Sequence, residues 1–249
     1  MSDVGDCYGN DGRYSQCMSA TFGWAVGGEP YDYPADVGFA IGTPDDPQYV
    51  RIEIHYSNFE NKQGIKDSSG IRISYTPELR PHDCGTLMVG VFTFPIHFIP
   101  PGSEEFRSYG LCDTRMMEDG DQIVVECTSN TMDREGVTFG GPSTLNEMCA
   151  GFLFYYPIVP IAACWSFMDI QYITEALGLE RGETIMDAVM NIDSVEWDDE
   201  SRAAAQKAVM DTNHLIIVEN REGKRLNKTT PLPPISLPPP YHCEDDSLE

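Results

Sequence analysis

Five histidines, eight cysteines and eleven methionines are the residues of this sequence able to hold a soft metal or take part in redox chemistry. Spacing organises few of them. His55, His82, His97, His214 and His242 do not cluster, and no two cysteines stand at C-x-x-C spacing, so zinc patterns are absent. His55 lies inside RIEIHYSNF (51–59), which reads as a strand with Arg51, Glu53 and His55 on one face and Ile52, Ile54 and Tyr56 on the other. A lone histidine on such a face is an ordinary solvated or hydrogen-bonded residue unless partners make it a metal ligand. Met148, in NEMC, poses the same question: most methionines fill cores, whereas a thioether chosen as a ligand would suit copper. No G-x-S-x-G, H-E-x-x-H, P-loop or G-x-G-x-x-G after a strand is present, and no catalytic residue is assigned.

The elements that must carry these side chains change in texture along the chain. Residues 1–165 read as all-β, with alternating or apolar runs such as GIRISYT, GTLMVGVFTFPIHFI, DQIVVECTS and GFLFYYPIV punctuated by Gly, Pro, Asn and Asp. The expected class is mainly β, an antiparallel, jelly-roll-like sandwich. Between Cys164 and Asp211 apolar residues recur at helical spacing, and DDESRAAAQKAVMD offers Asp198 or Ser201 as a cap. A helical appendage over 169–228 and a Pro-rich tail over 229–249 are predicted, because proline lacks the amide donor that helix and sheet need.

Composition narrows the partners. A chain of 249 residues with 41% hydrophobic residues can bury a core, and a net charge of −24 repels phosphate backbones and anionic lipid. No nucleic acid is expected as a partner, and no apolar stretch is long enough to span a bilayer. Eight cysteines and the sequon Asn227-Lys228-Thr229 point to an oxidising, secretory compartment, while the N-terminal residues show no signal peptide.

The order of the segments FGWAVGGEPYDYPADVGFAIG, QYVRIEIHYSN, KDSSGIRISYTPELR, CGTLMVGVFTFPIHFIPPG and CTSNTMDREGVTFGGPSTLNEMCAGFLFYYP resembles that of the copper type II, ascorbate-dependent monooxygenases. The likeness runs over residues 7–168 and is nearest the dopamine beta-hydroxylase-like branch, with peptidylglycine alpha-hydroxylating monooxygenase also similar. It implies a remnant of the N-terminal copper domain over 1–65 and a C-terminal copper domain over 66–168. It also implies copper as cofactor, ascorbate as reductant and a small-molecule or peptide substrate. By the same resemblance His55 maps to a ligand of the electron-transferring copper and Met148 to the thioether ligand of the oxygen-activating copper. Cys112 with Cys164, and Cys127 with Cys149, match two family disulfides. Cys7 and Cys17 match cysteines whose partners lie elsewhere, and Cys84 and Cys243 have no assigned role.

The departures from that pattern set the functional expectation. The adjacent histidine pair of the first copper site has no counterpart in the chain, and neither has the His-x-His pair of the second, whose strands would fall between Met117 and Glu118. The arginine that holds peptide substrates goes with them, and Phe152 stands where a tyrosine is usual. The sequence thus reads as truncated and internally deleted, with one ligand of three at each copper. As it stands it is expected to be inactive, and the alternative is a non-catalytic secreted β-sandwich that binds or is a degenerate paralogue. Removing strands from a sandwich exposes edges and apolar faces, so self-association is expected.

Overall fold

The computed structural model describes residues 21–235 except 26, 45, 59, 117–120 and 221–222. Cys7, Cys17, His242, Cys243, the Met117–Glu118 junction and the tail beyond residue 235 therefore lie outside the described residues. In chain order the strands begin with β1 (Val37–Gly38), β2 (His82–Asp83), β3 (Gly85–Val91), β4 (Phe98–Ile99) and β5 (Phe106–Asp113). After a 3-10 turn at Thr114–Met116 come β6 (Gln122–Ser129), β7 (Thr138–Phe139), β8 (Ala150–Tyr155) and β9 (Ile161–Met168). The helices α1 (Ile170–Ala176), α2 (Ile185–Asp193) and α3 (Asp199–Asp211) follow, then β10 (Asn213–Asn220) and β11 (Arg225–Pro231).

One five-stranded sheet, ordered β11-β10-β9-β3-β8, faces the hairpin β5–β6. All its ladders are antiparallel except β3 on β9. Alternation on each side supplies the filling: Leu87, Val89, Leu111, Cys112, Ile161, Cys164, Ile216 and Val218 form one buried cluster between the layers. The two layers touch most closely at glycine. A Cβ on Gly110 would come within 2.5 Å of the Gly90 backbone, so β5 crosses β3 main chain against main chain. This is a mainly β sandwich with a small helical part, as expected from the strand texture.

The helices close one end of it. Each starts on a side-chain cap: Asp169 for α1, and capping boxes at Thr184 with Asp187 for α2 and at Asp198 with Ser201 for α3. Both candidates for the α3 start therefore act, Asp198 as the cap and Ser201 as its reciprocal partner. Ile173, Ile192, Ala205 and Val209 then pack with Phe98, Phe106 and Met168 in a second buried cluster. Gln206 of α3 accepts from the Arg107 amide at 2.7 Å and donates to the Arg107 carbonyl at 3.0 Å, which ties the helix to β5.

Three expectations are corrected. Residues 213–231 are two strands, not part of a helical appendage, because NHLIIVEN buries His214, Ile216 and Val218 against the sandwich and pairs with β9. Thr229, Thr230 and Pro231 belong to β11 rather than to an unstructured tail, with Pro231 at the strand end, where a missing donor costs least. Residues 51–58 and 70–76 form no named strand: their alternation is present, but among the described residues no neighbour supplies a ladder.

Candidate functional site

Two disulfides hold the region that the sequence singled out. Cys112 joins Cys164 across the layers, and Cys127 joins Cys149 between β6 and the approach to β8. These are the two pairings that the resemblance implied. Loop closures of 52 and 22 residues stabilise the fold by about 4 and about 3 kcal/mol in the chain-entropy picture. Cys84 is buried at the head of β3, its thiol donating to the Gly85 carbonyl at 3.4 Å.

Met148 sits directly beside that second disulfide. The Cys149 carbonyl accepts from Val91, and the Glu147 amide donates to Phe139, so the backbone on both sides of Met148 is fixed. Its side chain is 42% exposed. A shallow hollow of about 360 Å³, lined in part by Phe139, Leu145 and Asn146, opens on the same loop. Phe152, on β8, is likewise exposed and lies against Gly23, with no hydroxyl to offer.

His55 stands on the other candidate segment. Its Nε2 lies 2.9 Å from Glu53 Oε1, and Arg51 Nη2 lies 3.0 Å from Glu53 Oε2, so Arg51, Glu53 and His55 share one face as the alternation required. Sequence reading identified that face but not that Glu53 engages the imidazole; the i, i+2 spacing was the available signal. The remaining described histidines are placed elsewhere. His82 is exposed with its ring 6.0 Å from that of Tyr156, His97 is buried with Nε2 2.8 Å from Ser108 Oγ, and His214 is buried under the β10 ladder.

Among the described residues no three His, Cys, Asp or Glu side chains converge into a group that could hold a metal ion. Copper fits poorly to what is present: one imidazole already engaged by a carboxylate, and one exposed thioether. Chelation by several donors in one geometry is what makes such centres tight.

Comparison with known proteins gives the lineage. Residues 1–63 match the family model of the copper type II ascorbate-dependent monooxygenase N-terminal domain, and residues 113–177 match that of its C-terminal domain. A DBH-like monooxygenase protein 2 of Mus musculus is 38% identical over 303 residues, covering 96% of this chain and 49% of its own. The DBH-like monooxygenase protein 1 of Homo sapiens is 30% identical over 66% of this chain and 37% of its own, and the dopamine beta-hydroxylase of Rattus norvegicus 27% identical over 63% and 35%. The chain spans about half or less of the length of these relatives. The 303 aligned positions exceed its 249 residues, so the mouse protein carries residues inside the matched span that have no counterpart here. Where β5 and β6 meet, the Thr114 amide donates to the Asp121 carbonyl at 3.1 Å.

Proposed function

Because this chain belongs to the copper type II, ascorbate-dependent monooxygenase family, we propose that it keeps the family's C-terminal scaffold without a working copper site of its own, and that by itself it hydroxylates nothing. The observation that carries this reading is the lack of an assembled site: His55 is bound to Glu53, Met148 is exposed, and among the described residues no three His, Cys, Asp or Glu side chains converge into a group that could hold a metal ion. The two disulfides and the buried clusters support a retained fold. We place the protein in the secretory pathway on the strength of those disulfides. The division at residue 65 between an N-terminal remnant and a C-terminal domain, and association of the chain with itself, belong to the same proposal. The test is copper retention. Protein purified with added copper and dialysed should hold close to none, and Met148→Ala and His55→Ala should leave that value unchanged. Near two coppers per chain, lost on either substitution, would overturn the reading.

A second reading rests on the rigid seat of Met148. A backbone pinned at Glu147 and Cys149 is what a metal ligand needs and an idle surface methionine does not. On that reading the sequence is a portion of a longer copper- and ascorbate-dependent hydroxylase acting on a small molecule or peptide, in which His55 and Met148 are one ligand each. Sequencing the transcript upstream of Met1 and across Met117–Glu118 separates the two: the missing histidine pairs would favour the second.

A further inference from the structure

We propose that Asn227 is a site of N-linked glycosylation and that its glycan covers the outer edge of the five-stranded sheet. Asn227-Lys228-Thr229 is the single N-x-S/T tripeptide of the chain. Short motifs of this kind are common by chance, and what matters is where the fold puts the amide. β11 is the outermost strand of its sheet, paired to β10 on one side and, among the described residues, to no strand on the other. Lys228 Nζ reaches 3.2 Å to the Asp113 carboxylate, whose side chain is 1% exposed, so Lys228 points toward the β5 layer. Alternation then turns Asn227 and Thr229 to the opposite face.

Burial follows the same period except at Lys228, which is exposed although its amine reaches inward. Leu226 and Thr230 are half-buried, while Arg225, Asn227, Thr229 and Pro231 are exposed. The cross-strand partners agree: Asn227 faces Ile217 and Thr229 faces Leu215, and Leu215 is 39% exposed, whereas Ile216 and Val218 on the inner face are fully buried. The acceptor amide and the sequon hydroxyl therefore project from one accessible face, and Lys228 anchors the strand that presents them.

The transfer is chemically closed with the lipid-diphosphate-linked oligosaccharide of the secretory pathway as co-substrate. The bond from Asn227 Nδ2 to the sugar C1 forms as the bond from C1 to the diphosphate oxygen breaks. The lipid diphosphate leaves with the electron pair, the amide proton is lost to solvent, and nothing is oxidised or reduced. A bulky hydrated group there would shield the edge strand from pairing with another chain and would lie over Leu215. The inference rests on the secretory placement proposed above.

The full chain, expressed in animal cells behind a supplied secretory leader, would be treated with an amidase that releases N-linked glycans. The expected result is one downward mass step with conversion of Asn227 to aspartate. Asn227→Gln and Thr229→Ala should each abolish the step, and Lys228→Arg, which keeps both the sequon and a cation for Asp113, should preserve it. An unchanged mass on treatment, or a step that survives Asn227→Gln, would overturn the proposal. Mapping Cys112–Cys164 and Cys127–Cys149 in the same sample reports separately on the secretory reading.

Discussion

His97 and His214 are 1% and 0% exposed, and burial pushes the pKa of each down from 6.5 to about 4. Among the described residues His97 Nδ1 has no hydrogen-bond partner and neither ring nitrogen of His214 makes a bond of good geometry, the Val209 carbonyl only partly offsetting the effect of burial. Both rings are thus neutral in the fold, and the unfolded chain binds protons more readily between pH 6.5 and 4. Stability is complete above pH 6.5 and declines as pH falls toward 4, by about 2–3 kcal/mol for each histidine. The Asp113 carboxyl, held down to about 2 chiefly by hydrogen bonds from Arg115, acts in a lower window: its contribution is present above pH 3.8 and lost as pH falls toward 2. Urea midpoints should therefore fall between pH 7 and 4.5, and His214→Leu should remove about half of that slope; a variant with the parental slope would show that His214 is not buried neutral. The burial of His97 was legible in its apolar run FTFPIHFI. That of His214 was equally present in the alternation of NHLIIVEN, but the helical reading of 169–228 concealed it.

Between elements, the joint of α3 with β5 depends on Gln206, whose side-chain amide satisfies both backbone groups of Arg107. Gln206→Ala should cost about 1–3 kcal/mol, since it leaves a part-buried donor and acceptor unpaired, and Gln206→Glu should recover only the bond accepted from the amide. Chemical denaturation checks it, and a loss below a few tenths of a kcal/mol would mean that water replaces the glutamine. No sequence rule announces such a joint, because residues 107 and 206 become neighbours only through the tertiary fold. Local signals did reveal the cap of α3 and most strands between residues 85 and 155, but not the Asp169 and Thr184 caps of the first two helices. The disulfide pairing followed from family resemblance, since spacing alone leaves cysteine connectivity open. Alternation misled over 51–58 and 70–76, where a strand needs a partner as well as a pattern.

At the scale of the whole molecule, those two segments leave Ile52, Ile54, Ile71 and Ile73 between 40% and 53% exposed in a chain of net charge −24. Their stretch carries Arg51, Lys62, Lys66, Arg72 and Arg80 against Glu53, Glu60, Asp67 and Glu78, so charge does not keep copies apart there. Sedimentation velocity should show concentration-dependent association that Ile52→Ser with Ile73→Ser weakens, and a monomer at every concentration would contradict it. On the proposed function, lineage and scaffold have outlived the copper chemistry in this chain. Oxygen consumption by the purified, disulfide-bonded protein, supplied with copper and ascorbate and compared with free copper at equal concentration, tests it most directly. The expected result is no consumption above the free-copper background and none altered by Met148→Ala; turnover above that background, abolished by Met148→Ala, would overturn the proposed function.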